Sequence, residues 1–139
     1  EKSAYVGPNA KVYGKAQVMD NAQVMDNAQV RDEAQVYGNA RVFGKAQVWG
    51  KAQVWREAYV WGNAQVSGDA SVSDRAQVWG NARISDEALV KDNASVSDEA
   101  QVRDEAQIYG NARVYGNAQV CGRAKVWGWS QISGDSRIS

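Results

Sequence analysis

Carboxylates and one thiol are the side chains of this sequence with the most chemical potential. Five acidic residues are candidate ligands for Ca²⁺, which prefers groups of oxygen atoms: Asp69, Asp86, Glu87, Asp104 and Glu105. Cys121 is the only cysteine, so the chain cannot form an internal disulfide. Whether the five carboxylates come together depends on the elements that position them.

Histidine is absent from the sequence. The chain therefore lacks the side chain whose unperturbed pKa lies closest to neutrality, and one cysteine with surface carboxylates does not make a zinc or nickel site. No insertion interrupts the chain to form a lid or a substrate cleft. We therefore expect a protein without enzymatic activity and without a cofactor.

The elements that carry these residues repeat every six positions. Every sixth residue from Val6 to Ile138 is Val or Ile, and the residue two places before it is Ala as far as Ala124 and Ser after that. Residues two apart in an extended segment face the same side, so both should point inward. The last two positions of a unit carry Gly or Asp and then a polar residue, as in residues 46–51, which is typical of a turn. A helix is excluded because a spacing of six spreads the valines around it.

In this pattern of aliphatic, turn and small residues the chain resembles the hexapeptide-repeat proteins, from Ala4 to Ile138. The resemblance implies an all-β fold, a left-handed parallel β-helix solenoid with three hexapeptides in each triangular coil. About seven to eight such coils would form a single β-helix domain over residues 1–139. The residue after the aliphatic, commonly Gly or acidic in the family, is here often Trp, Tyr, Met or Ser.

The enzymes of this family depend on histidine. Its acyltransferases use a histidine as general base, and its carbonic anhydrases hold zinc with three histidines. Neither motif carries over to this chain, because the chain has no histidine. The resemblance therefore extends to the fold and not to the catalytic residues.

Three hexapeptides per coil would arrange the aromatic residues in columns along the rod. One predicted column contains Met25, Phe43, Trp61 and Trp79, with Tyr59 beside Trp61, and a second face carries Tyr37 above Trp55 and later Tyr109 above Trp127. Rings stacked about 5 Å apart would staple the coils together. The functional alternative is a possible binding face of Phe43, Tyr59, Trp61 and Trp79, an apolar surface for a glycan or a protein partner.

The same arrangement gathers the five acidic residues at one corner in three consecutive coils. Like charges in register repel, so this corner either binds Ca²⁺ or is solvated and offset by neighbours such as Lys51 and Arg123. Cys121 falls on an outward position, where it would be an unpaired surface thiol, a reactive thiol or a link between two chains. Glutamine amides, which can hydrogen-bond along the rod, are predicted to stack in two rows: Gln17, Gln35, Gln53 and Gln29, Gln47, Gln65.

The ends and the composition limit the partners. A parallel β-helix leaves an open row of backbone donors and acceptors at each end, so we expect self-association through the coil ends or contact with the remaining parts of a larger protein. Sixteen basic residues balance 16 acidic ones without a basic stripe, which argues against nucleic acid. No apolar run is long enough for membrane insertion, and the composition is that of a soluble protein.

We therefore expect a non-enzymatic structural rod, spacer or assembly scaffold, and a fragment of a larger bacterial or phage protein. The first alternative is a binding module that uses the aromatic face for a glycan or protein partner. The second is an engineered, consensus-like repeat scaffold, which the regularity of the units suggests.

Overall fold

The computed structural model describes residues 3–139, which form only short strands and turns. The strands are β1 (Tyr5–Val6), β2 (Lys11–Val12), β3 (Gln17–Val18), β4 (Gln23–Val24), β5 (Gln29–Val30), β6 (Gln35–Val36), β7 (Arg41–Val42), β8 (Gln47–Val48), β9 (Gln53–Val54), β10 (Tyr59–Val60), β11 (Gln65–Val66), β12 (Ser71–Val72), β13 (Gln77–Val78), β14 (Arg83–Ile84), β15 (Leu89–Val90), β16 (Ser95–Val96), β17 (Gln101–Val102), β18 (Gln107–Ile108), β19 (Arg113–Val114), β20 (Gln119–Val120), β21 (Lys125–Val126), β22 (Gln131–Ile132) and β23 (Arg137–Ile138). Within this range no helix is long and apolar enough to cross a membrane.

Each hexapeptide contributes one strand and one corner. The turn closes with a hydrogen bond from the alanine N–H to the carbonyl three residues earlier, as from Ala22 to Met19 at 3.1 Å. Two places after each valine or isoleucine of the repeat from Val12 to Ile132 lies a corner position, usually Gly or Asp, where φ is positive: 70° at Gly38 and 58° at Asp26. Gly adopts this conformation without a steric penalty, and Asp tolerates it better than most residues. The turn chemistry of the sequence is therefore the chemistry that the corners need.

Every third strand pairs in parallel, which builds three sheets along the rod. Two sheets have eight strands, β1-β4-β7-β10-β13-β16-β19-β22 and β2-β5-β8-β11-β14-β17-β20-β23, and the third has seven, β21-β18-β15-β12-β9-β6-β3. The partner of a residue is the residue eighteen positions on, as Val66 with Ile84. The prediction of an all-β parallel solenoid with three hexapeptides per coil is confirmed, with about seven coils.

Alanine and the aliphatic residue fill the interior, as predicted. Every Ala and every Val or Ile of the repeat from Ala22 to Val120 has no exposed surface. A fully buried valine contributes about 1.5–3 kcal/mol relative to an exposed one. The first coil is more open, and Val6 keeps 44% of its surface exposed. Because alanine and the aliphatic residue point inward, the residue between them in each unit and the residue after the aliphatic lie on the outer wall.

Candidate functional site

The predicted aromatic column forms on the first sheet. The rings of Phe43 and Trp61 stack with centroids 5.6 Å apart and planes 4° apart, and Trp61 stacks on Trp79 at 5.1 Å and 5°. We call these three residues the aromatic ladder. On another sheet Tyr37 stacks on Trp55 at 5.7 Å, as predicted. Rings at these distances stabilise neighbouring coils by about 0.5–1.5 kcal/mol per pair.

Tyr59 joins the ladder from the side. Its ring meets both Phe43 and Trp61 edge to face, with centroids 6.3 Å apart and planes at 78° in each pair. The Arg41 guanidinium lies 5.4 Å from the centre of the Tyr59 ring. The structure therefore brings together all four residues of the predicted binding face, and all four are half-buried.

Stacking changes what this face can offer a partner. Trp61 has one ring face against Phe43 and the other against Trp79, so the ladder presents ring edges to solvent where it is continuous. A flat ligand that stacks needs a free ring face. The ladder has one at its lower end, because the residue beyond Trp79 in the same column is Ser97. Trp79, Ser97 and the next residue of the column, Tyr115, line a groove of about 520 Å³.

The second column differs at its lower part. Tyr109 and Trp127 lie in successive coils, as predicted, because Ile108 pairs with Val126. The Lys91 ammonium sits 5.4 Å from the centre of the Tyr109 ring, and Trp127 is 60% exposed. The glutamine rows are in the predicted register, with Gln35 between Gln17 and Gln53. The hydrogen bonds found for residues 3–139 include none between two glutamines; the Tyr37 hydroxyl donates to Gln53 Oε1 instead, at 3.4 Å.

The aspartates of the corners have a role that the sequence analysis missed. In all eight cases the carboxylate accepts a hydrogen bond from the backbone N–H of the corner residue one coil further on, at 2.9–3.3 Å. These aspartates are Asp20, Asp26, Asp32, Asp74, Asp86, Asp92, Asp98 and Asp104. We call this contact the corner staple. The signal in the sequence was that eight of the ten aspartates stand at the position that otherwise holds Gly.

Three of the five candidate calcium ligands are engaged in contacts between coils, two of them as corner staples. Asp86 accepts from the Asp104 N–H at 3.2 Å, and Asp104 accepts from the Gly122 N–H at 2.9 Å. Glu105 pairs with Arg123 at 3.1 Å. Asp69 and Glu87 are exposed on the same corner. Across residues 3–139 no three acidic or cysteine side chains are grouped closely enough to hold a metal ion, so the geometry gives calcium no support.

Among residues 3–139, Arg56 is the one residue other than Gly or Asp with a positive φ at a corner, 59°. Its guanidinium lies 4.5 Å from the centre of the Trp55 ring and donates a hydrogen bond to the Asp74 carboxylate. Asp74 also accepts from the Asp92 N–H at 3.3 Å. The Arg56 hydrogen bond, opposed by partial burial and aided by the backbone N–H, lowers the pKa of Asp74 from its usual value.

This lowered pKa predicts a loss of stability in acid. A carboxyl whose pKa is lower in the folded state stabilises the fold above its unfolded pKa, and the contribution disappears as the pH falls through the folded pKa. We expect Asp74→Asn to cost about 0.5–1 kcal/mol at neutral pH, and the difference from wild type to vanish in strong acid. Thermal unfolding of both proteins between pH 7 and pH 2 measures this. Asp98→Asn, at a corner whose carboxylate bonds the Gly116 N–H, is the matched control; an equal pH dependence of both variants would contradict the role of Arg56.

Cys121 occupies an outward position, as predicted, but the prediction that it is a surface thiol is wrong. The residue follows Val120 on the outer wall, but only 4% of its surface is exposed, and its thiol donates to the Ile138 carbonyl at 3.5 Å. Ser73 and Ser97, which occupy the same position of their units, are also buried. Ser67, in the same position, is only half-buried, so the burial depends on the side chains around each residue and not on the position alone.

A covered thiol should react slowly. We expect a thiol-specific chromogenic reagent to modify Cys121 at least about tenfold more slowly in the folded chain than in denaturant, because the thiolate must be exposed to attack. The time course of modification in buffer and in guanidinium chloride measures the ratio. Equal rates would show that the thiol is open to solvent. The Ser67→Cys variant, at a half-exposed position after Val66, supplies the fast-reacting control.

Comparison with known proteins agrees with the architecture. A family model described as the YdcK beta solenoid repeat matches residues 34–50 and 106–122, each segment about one coil long. No curated protein and no solved structure matches the chain. The chain is thus similar to a β-solenoid repeat protein in two segments. The described residues as a whole form a β-solenoid with three sheets.

Proposed function

We propose that the chain is a non-enzymatic structural rod, a left-handed β-helix of the hexapeptide-repeat kind, whose ends bind further coils of a second copy. The observation that carries the proposal is the polarity of the hydrogen bonds between coils. The absence of histidine from the sequence and the use of the corner aspartates as staples support a structural rather than a catalytic role.

Outside the two-residue strands, backbone hydrogen bonds between coils all run one way. The N–H of a residue donates to the carbonyl seventeen positions later, as from Gln35 to Ala52 at 2.9 Å and from Asn39 to Arg56 at 2.7 Å. In these bonds, each coil receives from the coil before it and donates to the coil after it. A rod built this way has an acceptor-rich end and a donor-rich end.

The two terminal coils present these groups at open edges. Strands β1, β2 and β3 form one edge of the three sheets, and β22, β23 and β21 form the other. Within residues 3–139 no coil precedes the carbonyls of Ala4, Ala10 and Ala16, and no coil follows the N–H groups of Lys125 and Gln131. Trp129, in the last coil, is 81% exposed. Open sheet edges with apolar surface around them are templates for further pairing.

The polarity selects one mode of assembly. When the last coil of one copy meets the first coil of another, donors face acceptors and the interior rows of alanine and valine continue. When two first coils meet, carbonyls face carbonyls, which leaves them unpaired at a cost of about 1–3 kcal/mol for each buried group. We therefore expect head-to-tail stacking, which lengthens the rod without a fixed limit.

Sedimentation velocity across a concentration series tests this proposal on the 139-residue chain. We expect species that grow in steps of 15.2 kDa as the concentration rises. The double variant Gln131→Pro, Arg137→Pro removes two N–H donors from the open edge and should stay monomeric. Its control is Gln131→Ala, Arg137→Ala, which loses the same side chains, keeps the donors and should assemble like wild type. A constant mass at all concentrations, or assembly of the proline variant, would refute head-to-tail stacking.

A further inference from the structure

The aromatic ladder stops at Trp79 and the column resumes one coil later. Gln77 pairs with Ser95, and Ser95 pairs with Arg113, so Trp79, Ser97 and Tyr115 follow one another in register. The middle place of the three holds the small side chain of Ser97, which is 7% exposed. We call the space over Ser97, between the rings of Trp79 and Tyr115, the slot.

The slot has the thickness of one six-membered ring. Trp79 and Tyr115 lie two coils apart, about 9.6 Å along the rod, whereas stacked rings in the ladder are one coil apart, with centroids at 5.1–5.6 Å. A single ring placed midway would therefore lie between Trp79 and Tyr115 at about the spacing that the ladder itself uses. The groove that contains the slot measures about 520 Å³, which leaves room for groups attached to that ring.

Polar side chains surround the slot. Gln77 and Ser95, Arg113 and Gln131 line the groove on the side of the strands, and Asn93 lies at the corner. The Tyr115 hydroxyl donates to Gln131 Oε1 at 3.3 Å, which orients the ring and leaves the Gln131 amide N–H₂ as a donor. No ion pair of residues 3–139 involves Arg113. The Asp98 carboxylate also lines the groove, so the rim offers several hydrogen-bond donors and one carboxylate acceptor.

We infer that the slot binds the pyranose ring of a glycan. A pyranose has two faces lined by C–H groups, which suit the two aromatic faces, and hydroxyls around its edge, which suit the donors of the rim. An aromatic side chain of a protein partner would fill the slot equally well but would leave the amide and guanidinium donors without acceptors. The combination of two ring faces and a polar rim therefore favours a sugar.

This inference concerns the side of the rod and does not depend on end-to-end stacking. The predicted binding face of Phe43, Tyr59, Trp61 and Trp79 contributes to it only through Trp79, because the other three rings do not line the groove. If the rod does stack, the slot recurs once in each copy on a continuous surface. Repeated weak sites of this kind gain affinity for a polymeric glycan through multivalency.

An array of defined oligosaccharides, containing neutral hexopyranose and hexuronate units, tests the inference with the 139-residue chain. Glycans retained on the array are then titrated against the tryptophan fluorescence of the free chain. We expect saturable quenching for at least one class of pyranose, because Trp79 forms one wall of the slot. Retention of no glycan at millimolar concentration would overturn the inference, as would binding of a free indole compound in preference to every glycan.

Two variants locate the binding. Ser97→Trp fills the slot with a ring that continues the ladder, so we expect roughly tenfold weaker binding or none, with an unfolding temperature no lower than wild type. Its control, Ser67→Trp, adds the same ring on another sheet and should bind like wild type. Tyr115→Ala removes one wall and should also weaken binding, whereas Tyr109→Ala on another face should not. Unchanged glycan affinity in Ser97→Trp would place the site elsewhere and overturn the inference.

Discussion

Replacement of Val66 by Asp is expected to leave the chain largely unfolded near room temperature, so that heating shows no cooperative unfolding transition. Val66 has no exposed surface and pairs with Val48 and Ile84 in the middle of the rod, where the interior consists of alanine, valine and isoleucine. A carboxylate in this interior finds no hydrogen-bond partner, and the cost of burying it is comparable to the 5–15 kcal/mol by which domains are typically stable. Circular dichroism during thermal and urea unfolding measures the effect.

Gln65→Asp is the matched control, because it introduces the same carboxylate one residue earlier in the same strand. The Gln65 side chain points outward and is half-buried, next to Arg83 in the following coil. We expect this variant to stay within about 1 kcal/mol of wild type. Equal destabilisation by the two substitutions would mean that the strand does not have an inner and an outer face in this register.

Gly38→Ala is expected to lower the free energy of unfolding by about 2–4 kcal/mol. The φ of Gly38 is 70°, which costs a residue with a Cβ about 1–2 kcal/mol, and the added Cβ would lie 2.8 Å from the backbone N of Arg56 in the next coil. The corners that carry Asp hold a Cβ at the same position, so the corner backbone can shift to make room, at a cost in free energy. Gly128→Ala isolates the first effect, because its φ is 67° and no atom lies within 4 Å of the added Cβ. Urea unfolding of both variants measures the difference.

Gly38→Asp tests whether Asp stabilises a corner through the corner staple or is only compatible with the positive φ there. Its carboxylate would accept the Arg56 N–H, as the eight natural aspartates accept the N–H of the next coil. We therefore expect the aspartate variant to be about 1 kcal/mol more stable than the alanine variant, although its side chain is larger. An alanine variant as stable as the aspartate variant would contradict the staple.

Strict six-residue spacing made much of this fold predictable from sequence. Because no insertion shifts the units between Val6 and Ile138, the buried rows follow directly from alternation. Once three hexapeptides per coil are assumed, residues eighteen apart become neighbours. The stacks of Phe43, Trp61 and Trp79 were predictable for this reason. Handedness, the extent of the domain over residues 1–139 and the bacterial or phage origin stay predictions.

The sequence analysis did not predict how deeply a side chain is buried in the outer wall or which atoms of the next coil it can contact. Alternation indicates that Cys121 points outward, but the extent of its burial depends on how the surrounding residues pack, including the Ile138 carbonyl that its thiol contacts. The corner staples depend on the distance from a carboxylate to the amide of the next coil, which turn propensity does not contain. For Asp86 and Asp104 this distance decides between a hydrogen bond within the rod and a free metal ligand.

The slot over Ser97 could have been found from sequence. Ser97 follows Trp79 by eighteen residues and precedes Tyr115 by the same number, so the vacancy between two rings is present in the spacing. The composition does not reveal a missing ring, so the slot becomes visible only when residues eighteen positions apart are compared. In a stacked solenoid, an interruption in a column of large residues is itself a structural element, since it leaves ring faces uncovered.

Methyl contacts of Ile84, measured by nuclear Overhauser effects on an isotope-labelled sample, test most directly whether each residue lies over the residue eighteen positions away. The solenoid predicts strong contacts from the Ile84 methyl groups to Val66 in the preceding coil and to Val102 in the following one. Two results would contradict the coiled rod on which the corner staples, the open ends and the slot all depend. One is Ile84 contacts confined to residues close in sequence, and the other is nuclear Overhauser effects between the Ile84 methyl groups and water.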